Sequence, residues 1–78
     1  MKPGPVTLGE GVHPTAIVSP EAQLATGVQV GPGAVIGPGV HIAAGVVIGA
    51  YAVIDKDTHI GENSRIFHGA VVGADPQD

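Results

Sequence analysis

The 78 residues contain no cysteine and no tryptophan, and the only aromatic side chains are Tyr51 and Phe67. Without cysteine a disulfide framework is excluded. The four histidines fall in no C-x-x-C or H-x-x-x-H spacing, so a structural metal does not staple the chain either. A chain this short buries only a marginal globular core, so regular repetition or self-association has to make up the difference. Basic residues are scarce: three Lys and Arg stand against seven Asp and Glu, a formal charge of −4. That balance leaves no electrostatic footprint for nucleic acid or an anionic lipid surface. No uninterrupted apolar run approaches the ~18 residues that would span a bilayer, and Met1-Lys2-Pro3-Gly4-Pro5 leads into no apolar signal core. A cytoplasmic location is expected.

What is abundant is Gly (13), Pro (7) and aliphatic residues, with 44% of the chain apolar and most of that Val, Ile and Ala. Glycine and proline at this level accompany disorder unless the apolar residues are ordered by spacing. Here they are. An aliphatic residue falls at every sixth position: Val6, Val12, Val18, Leu24, Val30, Ile36, Ile42, Ile48, Ile54, Ile60, Ile66 and Val72. Two positions before each lies a mostly small residue, among them Ala16, Ala22, Ala34, Ala52, Thr58, Ser64 and Ala70, with Glu10 as the charged exception. Positions i and i+2 share one side of a strand, and the residue between them points outward. The repeat therefore predicts four-residue strands such as Ala34-Val35-Ile36-Gly37.

Two residues separate successive strands, and the second is Gly9, Gly27, Gly33, Gly39, Gly45, Asp57, Asn63, Gly69 or Asp75 at most sites. These residue types tolerate positive φ, and Pro32 and Pro38 pre-set two of the turns. A period of six is incompatible with an α-helix, whose apolar stripe recurs at 3.6. Short-period arrays of this kind form solenoids in which each coil buries its inner side on its neighbours. Three strands per coil predict an all-β parallel β-helix of about four 18-residue coils, one domain over 1–78 with 1–5 a short lead and 6–78 the repeats.

Sorting the outward residues by that 18-residue period gives three faces. The first, Ile17, Val35, Val53 and Val71, is apolar throughout, and an apolar column costly to leave in water predicts an oligomer interface. The second, Gln23, His41, His59 and Gln77, reads as a polar ladder. With no Asp, Glu or Cys in that column as a further ligand, a solvated or intersubunit stripe is expected there, not a metal site. The third, Gly11, Gln29, Val47 and Arg65, is mixed. His13, His68 and the Asp55-Lys56-Asp57 cluster fall at corners and read as exposed. No catalytic Ser/His/Asp set, phosphate loop or carboxylate pair can be assembled, and no cofactor is implied.

The unit Ile36-Gly37-Pro38-Gly39-Val40-His41 resembles the hexapeptide-repeat transferases, which form left-handed parallel β-helices; that handedness is implied by the resemblance alone, since parallel crossovers are otherwise right-handed. Within that superfamily, Val12-His13-Pro14-Thr15-Ala16-Ile17-Val18, Ile60-Gly61-Glu62-Asn63-Ser64-Arg65-Ile66-Phe67 and Val72-Gly73-Ala74-Asp75-Pro76-Gln77-Asp78 resemble the amino-terminal part of the acyl-carrier-protein:UDP-N-acetylglucosamine O-acyltransferases of lipid A synthesis. The resemblance implies a homotrimer that moves a 3-hydroxyacyl chain from acyl carrier protein to UDP-N-acetylglucosamine in clefts between subunits. It also implies substrate contacts at Gln77 and Asp78. The family's general-base histidine belongs to a later coil, and at His68 the family commonly has Gln. The 78 residues are therefore expected not to catalyse acyl transfer by themselves. The alternative is a truncated or designed self-assembling scaffold. An ice-binding module would require ranks of Thr, and Thr7, Thr15, Thr26 and Thr58 form none.

Overall fold

The computed structural model describes residues 11–73. Over this span the chain is all-β: ten strands stack as a parallel β-solenoid of about 3 turns of ~18 residues. The strands are β1 (Ile17–Val18), β2 (Gln23–Leu24), β3 (Gln29–Val30), β4 (Val35–Ile36), β5 (His41–Ile42), β6 (Val47–Ile48), β7 (Val53–Ile54), β8 (His59–Ile60), β9 (Arg65–Ile66) and β10 (Val71–Val72). They form three parallel sheets, β1-β4-β7-β10, β2-β5-β8 and β3-β6-β9. The register repeats without slippage: Val35 lies opposite Val53, His41 opposite His59 and Val47 opposite Arg65. Val12 adds a bridge to Val30, so every predicted strand position from Val12 to Val72 is filled. Val6, Glu10, Gly9 and Asp75 lie outside the described residues.

Each strand has two residues with strand geometry, not the four the repeat predicts. The flanking residues nevertheless bond from coil to coil: Val35 N–H donates to the Ala52 carbonyl at 2.9 Å, and Gly37 N–H to the Ile54 carbonyl at 2.9 Å. The hydrogen-bonded stretch is thus four residues long, and its outer members already begin to turn. A sharp corner every six residues leaves room for no more.

The corners are bonded as well. Tyr51 N–H donates to the Pro32 carbonyl at 2.8 Å, Asp57 N–H to Pro38 at 3.0 Å and Gly69 N–H to Ala50 at 2.9 Å. The left-handed backbone conformation of the second corner residue goes with this bond to the coil before. Gly33 and Gly39 adopt it at φ 70° and 73°, Asp57 and Asn63 at 58° and 60°. Tyr51 also adopts it, at φ 60°, which its residue type does not predict. Thr15 and Glu21 do not. At those corners the N–H turns to a side chain: Thr15 N–H donates to His13 Nδ1 at 3.2 Å and Glu21 N–H to Ser19 Oγ at 3.1 Å, while Thr15 Oγ1 in turn accepts from Gly33 N–H at 3.0 Å.

The core is the inward residues of successive coils. Ile36, Ile48 and Ile54 are each 1% exposed, and Ala34, Val40, Val46 and Ala52 are fully enclosed. Val18, Leu24, Ile66 and Val72, nearer the ends of the described stack, are only partly buried against it. The gradient follows from the architecture: a middle coil is covered on both sides by its neighbours. Among the described residues no polar or charged side chain is buried, so the interior is held by apolar burial and backbone bonding alone.

Candidate functional site

The outer faces differ sharply although the backbone beneath them is the same. On β1-β4-β7-β10 the outward column is Ile17, Val35, Val53 and Val71, joined in register from end to end. Ile17 is 66% and Val71 63% exposed, and Val35 and Val53 are half-buried by their neighbours on either side. Aliphatic side chains stacked one strand apart make a continuous apolar strip.

Tyr51, at the corner before β7, and Phe67, just before the corner that leads to β10, are the chain's only aromatic residues, and they are 69% and 77% exposed. The Tyr51 ring lies over Gly33, one coil earlier, where a Cβ would collide with it. An aromatic residue in the left-handed conformation, laid outward over a glycine, is a strained arrangement that burial does not explain. The mid-strand columns include neither aromatic; by the same 18-residue period Tyr51 sorts with Thr15, Gly33 and Gly69, and Phe67 with His13, Gly31 and Gly49.

On β2-β5-β8 the outward residues are Gln23, His41 and His59, all exposed and joined in register. The two imidazole rings stack with centroids 4.6 Å apart and planes inclined by 32°. They border a shallow groove of about 410 Å³ whose floor is Leu24, Ala25, Ile42, Ala43 and Ile60. The third face carries Gln29, Val47 and Arg65 in register, with no common chemistry.

The remaining candidates are dispersed. His13 Nδ1 lies 3.0 Å from Thr15 Oγ1 and accepts from Thr15 N–H at 3.2 Å. An imidazole beside a hydroxyl is the geometry of an activated nucleophile, but here it closes a corner that lacks glycine, and among the described residues no hydrogen bond to a carboxylate orients the ring. His68 is exposed at the same corner as Phe67. Asp55 accepts from Lys56 N–H at 2.8 Å, a local turn. Gln77 and Asp78, the substrate contacts implied by the resemblance, lie outside the described residues. Among those described, no group of three or more His, Cys, Asp or Glu side chains converges on one point.

The class that fold and faces define is a parallel β-solenoid with one apolar face and one histidine-bearing face. No helix in the described residues is long and apolar enough to cross a membrane. No protein-family model, curated protein or solved structure matches the chain.

Proposed function

We propose that the chain is amino-terminal β-helix from a UDP-N-acetylglucosamine 3-O-acyltransferase of lipid A synthesis, wound left-handed, located in the cytoplasm and associated as a homotrimer. The observation that carries the reading is the coincidence of an uninterrupted hexapeptide solenoid with the family-like stretches 12–18, 60–67 and 72–78. In this reading the 78 residues supply wall and interface, Gln77 and Asp78 supply a sugar contact, and acyl transfer from acyl carrier protein depends on a general base that these residues do not include. The test is a chimera in which residues 1–78 replace the matching coils of a complete enzyme of this family. Acylation of UDP-N-acetylglucosamine by the chimera is expected, and none by the 78-residue chain alone. A chimera that folds as a trimer without turnover, or turnover by the short chain, overturns the assignment.

A second reading is favoured by the apolar strip with its aromatic corner: a self-assembling scaffold with no enzymatic role. It shares the interface but not the chemistry, so the same chimera separates the two.

A further inference from the structure

We infer that His41 and His59 together chelate one divalent transition-metal ion of the Cu²⁺, Ni²⁺ and Zn²⁺ class, with the remaining coordination positions open to water. The inference is independent of the acyltransferase reading.

Three features of the pair carry it. First, the donors are neighbours. Their strands are hydrogen-bonded neighbours in parallel register, so the two residues leave the sheet side by side. The ring centroids stand 4.6 Å apart. An ion about 2.0–2.1 Å from each nitrogen needs the two nitrogens about 3 Å apart. Rings inclined by 32° are nearer to stacked than to convergent, so uptake of the ion rotates both imidazoles about their side-chain bonds until an in-plane lone pair of each points at it.

Second, the donors are free. None of the side-chain hydrogen bonds among the described residues involves His41 or His59, whereas His13 Nδ1 is engaged with Thr15. Among the described residues, no protein partner competes for these lone pairs. Third, the surroundings tolerate a cation. The other outward residue of this sheet is the neutral Gln23, Lys and Arg are absent from the column, and the chain carries a net charge of −4. The groove beside the rings leaves space for water to complete the coordination shell.

Imidazole nitrogen favours Cu²⁺, Ni²⁺ and Zn²⁺ over Mg²⁺ and Ca²⁺, which prefer oxygen. The absence of a further His, Cys, Asp or Glu beside the pair makes the site open, unlike the closed four-ligand sites that hold a fold together.

The experiment is calorimetric titration of the intact chain with CuCl₂ and ZnCl₂ in a non-chelating buffer, with electron paramagnetic resonance of the copper complex. One ion per chain is expected, with copper tighter than zinc and a nitrogen hyperfine pattern from two imidazoles. His41→Ala and His59→Ala should each weaken binding by more than about tenfold, since even groups behind the ligands cost about that much when removed. The double variant His13→Ala/His68→Ala should bind as the parent does. Circular dichroism of each variant confirms folding, with His41→Gln and His59→Gln as replacements should an alanine variant unfold. Unchanged affinity in folded His41 and His59 variants, or loss of binding in the His13/His68 variant, overturns the assignment.

Discussion

Sheets β1-β4-β7-β10 and β2-β5-β8 share a backbone, a register and an aliphatic inner side, yet one turns Ile17, Val35, Val53 and Val71 to the outside and the other Gln23, His41 and His59. The inner residues answer to the neighbouring coils and must be apolar. The outer residues face solvent or the same column one coil away, so their chemistry can differ from face to face while the fold stays the same. An aliphatic column calls for another apolar surface, and a stacked histidine pair calls for a polar or metallic one.

The most severe way to break the comparison is to remove what both faces share. Ile48→Asp places a carboxylate in an enclosed stack with no buried polar partner, at a cost of several kcal/mol against a stability on the order of 5 kcal/mol. Loss of the β circular-dichroism spectrum is expected, and with it both faces; an unchanged spectrum contradicts the burial of this position. A change confined to one face should be gentler on the fold. Val35→Lys with Val53→Lys is expected to convert the proposed trimer, of three times the 7.7 kDa chain mass, to monomer in sedimentation, with the spectrum intact. His41→Ala should leave that mass unaltered in the absence of metal. An equal loss of association in both variants would erase the distinction between the faces.

Smaller effects sharpen the role of the aromatic corner. Gly33→Ala brings a Cβ against the Tyr51 ring and puts an L-residue at positive φ, so a loss of about 1–2 kcal/mol in urea unfolding is expected. Tyr51→Asn should act oppositely on the isolated chain. In the Val35→Lys/Val53→Lys background it is expected to raise stability by under about 1 kcal/mol, because Asn tolerates φ near 60° and the exposed ring contributes little burial. In the parent background the same change should weaken association. A loss of stability in the monomeric background would mean that the ring supports the coil and not the interface.

Much of this was legible without coordinates. The six-residue period from Val12 to Val72 puts its aliphatics inside or partly inside, as the structure has them, and the same count sorts the outward residues into apolar, polar and mixed columns. The corner rule held for Gly27, Gly33, Gly39, Gly45, Asp57, Asn63 and Gly69. It failed at Tyr51, whose type argues against the conformation it adopts; Thr15 and Glu21 are not of these types and do not adopt it, and their N–H groups donate to His13 Nδ1 and Ser19 Oγ. Strand length was overestimated because the pattern counts hydrogen-bonded residues, while the turn already bends the outer two.

The sequence by itself determined which side of every strand faces inward, because alternation and period are local properties that each hexapeptide carries. Only the tertiary structure decided what meets across coils. The separation of the His41 and His59 rings and the Tyr51 ring over Gly33 depend on side-chain directions and corner geometry between residues distant in the chain. No single repeat contains that information, because those contacts exist only once one coil is stacked on the next.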